Sequence, residues 1–551
     1  MRYSIKKWSI AILMAVATVL SGCALEEAAE PDKSLEKPDD PMEKYKPPID
    51  VSVDFTIGDP IADGFKEEEW ANNAWNQYYR DELGINLNAK WFCKGEMCRQ
   101  KKSIAIASGD IPDITGVSQE ELSTLSKTNL IRTDMKELYD LYASDLTKQI
   151  MNEAGDEPWE SATFDGKVMA IPSVDSSIDV ASFLWVRQDW LDKLGLEVPK
   201  TMDELYTVMK AFKEQDPDGN GKDDTYGLML QKDFLVPGVA ESVGLMNGFH
   251  AYPRMWVEDE SGKLVYGSAQ PEMKKALTFL SKLYEEGMIE QDFGAKTSDK
   301  AAELAASGKV GVNFGAMWNG MFPFQQTKDN FPESDWRAYT LVSADNKPAR
   351  PQIELRVTGY NVVKKDFDHP EALVKLLNAW SEAYTGTDKA LYDKLINEAK
   401  GAPGHHLASF KTWPAKKNLN AHLNVTKALE SKDTTGLTAE ELSYYENILK
   451  YQEGDNTMAQ YEKVFGKTGS FSAMKEYEDK GLFMMDQFFG ASTDTMKSRM
   501  DTIKKKELEY FTKVIMGSAS VNEFDQFTEE LNTLGLADIT EEINDWKESN
   551  Q

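Results

Sequence analysis

Between Val51 and Trp91 the chain sets down a strand, a helix and a second strand, and that order constrains the fold more than any other stretch. Val51-Ser-Val-Asp-Phe-Thr-Ile57 alternates β-branched and aromatic residues with polar ones, the period of a half-buried strand. Gly58-Asp59-Pro60 ends it, a helix is expected from about Glu67 to Glu82, and Gly84-Ile-Asn-Leu-Asn-Ala-Lys-Trp91 reads as the next strand. A β-α-β opening calls for an α/β lobe. At 551 residues the chain is too long for one core, and two large lobes fit its length.

What precedes this opening reads as an address and a spacer. Arg2, Lys6 and Lys7 lead into an apolar run from Ile10 to Leu20, too short to span a bilayer comfortably, so residues 1–22 read as a cleaved export signal. Leu20-Ser-Gly-Cys23 resembles the lipobox of bacterial lipoproteins, in which the cysteine is acylated and becomes the first mature residue; the alternative is a secretory signal that happens to hold a cysteine. Residues 23–50, rich in acidic residues, Lys and Pro, are expected to form a disordered tether. The charge is −30, from 62 basic and 92 acidic residues, which argues against nucleic acid and anionic membrane surfaces as partners.

Cys93 and Cys98 are the other two cysteines, and in an exported chain they read as a disulfide closing a small loop; a zinc site would need two more soft or imidazole ligands nearby. Ser182-Phe-Leu-Trp-Val-Arg187 reads as a strand, Gln188–Gly195 as a short helix stopped by glycine, and Thr201 with Glu204 as the capping box of a helix whose Leu205, Val208, Met209 and Phe212 share a face. That helix runs into Asp216-Pro-Asp-Gly-Asn-Gly-Lys-Asp-Asp-Thr-Tyr-Gly227. Asp216, Asp218 and Asn220 take the first, third and fifth positions of a calcium loop, Gly221 the sharp turn, Lys222 a backbone carbonyl and Asp224 the ninth position. Gly227 stands where an EF-hand has its bidentate Glu, so Asp224, Thr225 or a distant group would have to close the site. The alternative is a solvated Asx/Gly turn. An ion held by so self-sufficient a loop would be structural.

The order of these elements resembles bacterial extracellular solute-binding proteins, specifically the family 1-like lipoproteins that serve ABC importers of oligosaccharides. The resemblance is carried by Leu20–Cys23, Ala107-Ser-Gly-Asp-Ile-Pro-Asp113, Leu184–Gly195, Pro199–Leu205, Asp216–Lys222, Leu283-Tyr-Glu-Glu-Gly-Met-Ile289 and Gly308–Trp318. It implies an α/β, two-lobed, periplasmic-binding-protein-like fold of type II, with a hinge and an interlobe cleft that holds the ligand. It also implies calcium on the loop from Asp216 to Asp224, as in relatives that bind alginate-type oligosaccharides. On this reading residues 51–175 form the first lobe, 176–355 the second, and 356–551 return to the first lobe and then pack helices on both.

A sugar cleft needs aromatic faces and planar polar groups. Trp185 and Arg187 lie on one face of a strand, which either opens to the cleft or supports a helix, and Trp318 and Asn319 follow a strand end that the resemblance turns toward the cleft. Asp59 and Asp113 lie on loops after first-lobe strands. Trp75, Trp336 and Trp380 read as core, and His405-His406 as a surface pair. The function expected is a lipid-anchored, monomeric, non-catalytic binding protein that passes an oligosaccharide to membrane permease subunits. The alternatives are an extracellular glycosidase or lyase, which would need a specific carboxylate pair, and a binding protein for another solute such as a peptide. No G-x-S-x-G or H-E-x-x-H motif occurs.

Overall fold

The computed structural model describes residues 38–57, 65–355, 357–397 and 404–549. Cys23, Asp59 and the export signal lie outside these residues. The first lobe is built on a five-stranded sheet: β1 (Ile49–Ile57), β2 (Ile85–Lys94), β3 (Ile114–Val117), β4 (Ile171–Val174) and, from far along the chain, β9 (Val357–Val363). Strand order is β2-β1-β3-β9-β4. β1 runs parallel to β2 and β3, whereas β9 is antiparallel to both β3 and β4. In β1 the apolar set Val51, Val53 and Phe55 turns inward, so the alternation in the sequence is the alternation of the pleat.

The second lobe holds β5 (Phe183–Arg187), β6 (Tyr226–Leu228), β7 (Val310–Gly315) and β8 (Trp336–Tyr339), in the order β8-β5-β7-β6. Every residue of β5 and β7 is buried, because helices cover both faces of this sheet. One cover comes from the C-terminal residues 417–549, whose Phe465, Phe471, Tyr477, Phe511 and Ile543 join Phe183, Trp190 and Phe314 in a single core. Of the intervening residues, 364–397 and 404–415 belong to the first lobe, where Trp380 is fully buried, stacks on Trp75 at 5.6 Å, and donates from Nε1 to the Thr412 carbonyl at 2.7 Å.

The chain passes between the lobes three times: Val174 to Phe183, Ile353 to Val357, and Trp413 to Lys417. These passages lie side by side. Val357 pairs with Val174, the Trp413 amide donates to the Val174 carbonyl at 3.0 Å, and the Ser176 hydroxyl donates to the Ala415 carbonyl at 3.1 Å.

Two expectations need correction here. The helix expected over 67–82 is two pieces, Glu67–Ala71 and a second begun at Ala74, because the Asn73 side chain accepts from the Asn76 amide at 2.9 Å and caps a new start. The tether expected through residue 50 ends earlier. Tyr45 donates to Glu371 at 2.6 Å with its backbone amide on the Leu83 carbonyl at 3.0 Å, so this segment is packed onto the first lobe and β1 starts at Ile49.

Candidate functional site

Strand polarity fixes where the two sheets present their ends. The carboxyl ends of β1, β3 and β4 and the amino end of β9 share one edge of the first sheet. In the second lobe the carboxyl ends of β6, β7 and β8 share an edge with the amino end of β5. The passage from β4 to β5 joins these two edges directly, so both flank the hinge. In open α/β sheets, this is where ligands are met.

On the second-lobe edge, β7 runs into the turn Met317–Gly320. Asn313 donates to Asn319 Oδ1 at 2.7 Å, Asn319 donates to the Gly238 carbonyl at 3.0 Å, and the Ala240 amide donates to Asn313 Oδ1 at 3.0 Å. Both asparagines are fully buried, so their amides are spent on pinning the 238–240 loop to the strand end. Asn319 therefore positions this edge and offers no free amide to a solute. Trp318 is its product. Its ring lies over Gly238, where a Cβ would come within 3.5 Å of the indole, and it stays half-buried.

The first-lobe edge is built differently. Asp113 does not lie on it: it precedes β3 instead of following a strand, at the sheet edge away from the hinge, and is bound into the sheet, its carboxylate accepting from the Ser52 amide at 2.8 Å and hydroxyl at 2.7 Å. Beyond the end of β3, Glu120 accepts from the Ser118 hydroxyl at 2.9 Å. Although burial opposes it, hydrogen bonds from its own backbone and from the Ser118 and Ser492 hydroxyls, with Lys497 nearby, hold Glu120 below the usual carboxylate range.

Ser492 belongs to a segment that sequence reasoning passed over. Met484–Met485 pairs in parallel with Gln352–Ile353, the strand that leads into the second passage between the lobes. Asp486 accepts from the amides of Trp256 at 3.2 Å and Phe488 at 3.0 Å, and burial pushes its carboxyl up to about 7. Phe488 and Phe489 then stand edge-on to Trp546 at 4.9 and 5.0 Å, and every residue from Leu482 to Thr493 is half-buried. The strip from Gln487 to Ser492 thus runs between the lobes. Its signal in the sequence is the Phe-Phe-Gly triplet inside an otherwise polar helical region.

Trp185 and Arg187 do share a face of β5, and that face supports helices. Trp185 is fully buried against Phe324 at 5.1 Å. Arg187 is only 4% exposed; it grips Asp189 bidentately at 2.8 and 2.6 Å and lies over the Trp190 ring at 4.6 Å. With both sheet faces covered, neither side chain has a surface for a solute.

The Asp216–Gly227 loop forms a tight turn. Asp216 accepts from the amides of Asn220 at 3.1 Å and Gly221 at 2.9 Å, and Lys222 N donates to Asn220 Oδ1 at 2.8 Å. The Asn220 amide nitrogen lies between Asp218 at 2.6 Å and Asp224 at 3.0 Å. Among the described residues no three His, Cys, Asp or Glu side chains form a metal-holding group. The donors are nevertheless all oxygens gathered about one amide, and turning that amide brings Oδ1 among the carboxylates, a donor set suited to a hard cation. Two positions are settled by packing. Gly227 lies in β6, where a Cβ would meet Met209 Cβ at 2.8 Å, and Thr225 is buried with its hydroxyl donated to the Phe212 carbonyl at 2.7 Å. Thr225 therefore does not close the loop with its side chain. Cys93 and Cys98 are joined as a disulfide, with Cα atoms 5.5 Å apart. His405 and His406 are half-buried, and burial pushes His405 down to about 4.

Known proteins place this architecture. A family profile described as "Bacterial extracellular solute-binding protein" matches residues 67–383. Among curated relatives, polygalacturonan/rhamnogalacturonan-binding protein YtcQ of Bacillus subtilis (strain 168) is 33% identical over 39% of this chain and 41% of its own length. The fructooligosaccharide ABC transporter substrate-binding protein FusA of Streptococcus pneumoniae serotype 4 is 28% identical over 53% of this chain and 54% of its own length. The chain thus spans about half the length of these relatives or less. In three dimensions, it is similar to the HMO-binding, ABC-transporter-associated solute-binding protein of Bifidobacterium longum infantis, with a TM-score of 0.59, 18% identity, and coverage of 91% of this chain and 98% of that one. An EF-hand mutant of FusA in complex with fructo-nystose is similar over 91% of this chain and 100% of its own, with a TM-score of 0.53 and 17% identity. With two α/β lobes, three passages through one hinge and a profile match across more than half its residues, the chain belongs to the bacterial extracellular solute-binding protein family and has the two-lobed type II fold.

Proposed function

We propose that this chain is a non-catalytic, monomeric binding protein that captures an oligosaccharide between its lobes and delivers it to the permease subunits of an ABC importer. The observation that carries the reading is the pair of strand-end edges at the hinge, one of them presenting the half-buried ring of Trp318. A flat indole stacks on a pyranose or furanose face, and the Gln487–Ser492 strip between the lobes carries further aromatic and hydroxyl groups. A solute that touches both lobes at once favours the closed arrangement by its extra contacts, which is what a hinge protein needs to signal loading. Support comes from YtcQ and FusA, whose names record polygalacturonan, rhamnogalacturonan and fructooligosaccharides.

Acylation at Cys23, with palmitate among the chains it could carry, would hold the protein on the extracytoplasmic face of the cell membrane, and residues 24–37 would let it stand away. A structural calcium ion on Asp216, Asp218, Asn220, Asp224 and the Lys222 carbonyl would offset the repulsion among these carboxylates. The EF-hand of FusA supports this reading.

Thermal melting against a panel of neutral and acidic oligosaccharides, with mass analysis of the sugar afterwards, tests the function. A rise in melting temperature with the sugar intact is expected. Cleaved sugar would replace the reading with an enzyme, and no shift for any glycan would replace it with another solute such as a peptide. Calcium is expected to raise the melting temperature of the chelated protein, and Asp218→Ala to remove that gain; equal melting with and without calcium would leave the loop a plain turn.

A further inference from the structure

A cavity of about 910 Å³ is lined only by second-lobe residues, so it is not part of a site shared between the lobes. That volume suits a ligand of one to a few sugar rings. One wall is the helix Glu272–Glu285, which presents Lys275, Phe279 and Lys282 at helical spacing; Phe249 meets Phe279 at 5.3 Å between ring centres, giving a half-buried aromatic floor.

The charges around this floor are unequal. Lys274 is tied to Asp525 at 2.7 Å, and Asp345 is occupied by His250 at 3.0 Å and the Lys347 amide at 2.7 Å. Lys282 lies over the Tyr206 ring at 3.8 Å. Among the described residues, the ammonium groups of Lys275 and Lys347 have no carboxylate partner, and the lining as a whole sets four lysines against three carboxylates, Glu272, Asp345 and Asp525, since His250 offsets Asp345 only when protonated. In a chain of formal charge −30, an aromatic-floored cavity with an excess of cations is out of keeping with its surroundings.

We propose that this cavity is a second binding site, for a carboxylated saccharide, whose ring face lies on Phe249 and Phe279 while its carboxylate is held by Lys275 and Lys347. Phenylalanine faces have no hydrogen bonds to offer, so they accept the apolar face of a sugar ring. Exposed ammoniums supply attraction without fixed geometry, and that attraction weakens as salt rises.

The site is independent of the proposed interlobe function, and the test separates them. Titration calorimetry with trigalacturonate in low salt is run on the wild-type protein, on the Lys275→Ala/Lys347→Ala double variant and on Trp318→Ala. Circular dichroism checks that these surface changes leave the fold intact. Binding is expected to weaken at least tenfold in the lysine variant, to be unchanged in Trp318→Ala, to fall at high salt, and to be missing for the neutral galactose trisaccharide. The proposal is overturned by no binding to the wild type, by binding that the lysine variant leaves undiminished, or by loss in Trp318→Ala alone, which would assign the acid to the interlobe site. Displacement of trigalacturonate by equimolar inorganic phosphate would also overturn it, since that marks a bare anion site.

Discussion

Asp179 lies in the first passage between the lobes, where its Oδ2 accepts from Asn418 Nδ2 at 2.5 Å, tying that passage to the third. Burial pushes its carboxyl from 3.8 up to about 6, against the opposing pull of Asn418, Ser176 and Lys417, and Asp175 adds a smaller push upward. Below pH 3.8 the group is protonated whether the chain is folded or not, and its pH-dependent contribution is at its most favourable. Between that pH and about 6 the unfolded chain releases the proton first, so folding stability falls as pH rises; above about 6 both states are ionised and the loss is complete. A shift of about two units at about 1.4 kcal/mol per unit gives about 3 kcal/mol. Asp179→Asn keeps the shape and removes the titration. The change of hydrogen bonding it brings is a constant offset, whereas the linkage varies with pH. Urea unfolding of both proteins from pH 4 to pH 7 separates the two. The stability of the wild type relative to Asp179→Asn is expected to fall by about 2.5 kcal/mol over this range and then level off. A difference that stays flat across the range refutes the buried-hinge argument.

Three further outcomes follow from other parts of the molecule. Trp318→Ala is expected to weaken oligosaccharide binding about tenfold, the scale of one lost aromatic contact, and to lower the melting temperature of the free protein modestly, since the half-buried ring packs on the core; an unaltered Kd by calorimetry would remove Trp318 from the site. Arg187→Leu leaves Asp189 without its bidentate partner and should cost about 3 kcal/mol in urea unfolding while leaving sugar affinity intact; the reverse pattern would restore Arg187 to the ligand. Reduction of Cys93–Cys98, a closure across 5 positions of sequence, should cost about 2 kcal/mol by loop entropy, read as a lower urea midpoint in dithiothreitol, and an unmoved midpoint would count against it.

The elements whose signals are local were legible in the sequence. The pleat of β1, the Thr201 cap accepting from the Glu204 amide at 3.2 Å, and the left-handed Gly195 that stops its helix each follow from a few neighbouring residues. What failed depends on what covers a surface. The alternation at Trp185 and Arg187 says that they share a face, but whether helix or solvent lies over it is decided by Phe324 and Trp336, more than a hundred residues away. Asn319 carries the planar amide that a sugar site wants, and only the Gly238 carbonyl, brought in by a distant loop, reveals that it is already occupied. The Gln487–Ser492 strip was missed for the same reason: its place between the lobes is set by pairing with Gln352–Ile353, which no local pattern encodes. Gly227, a gap when compared with a calcium loop, is a packing requirement once β6 is seen pressed against Met209.

The central position of β9 has a consequence for how the molecule can come into being. A strand from residues 357–363 sits between β3 and β4, so the first sheet stays split until the chain has laid down the strands of the second lobe. The second lobe in turn waits for residues 417–549 to cover its core. Each lobe is interleaved in sequence with the other, and neither can be excised as one contiguous fragment. A cut at any of the three passages would leave two incomplete cores rather than two smaller proteins, so each lobe needs sequence from both sides of the other to complete its core.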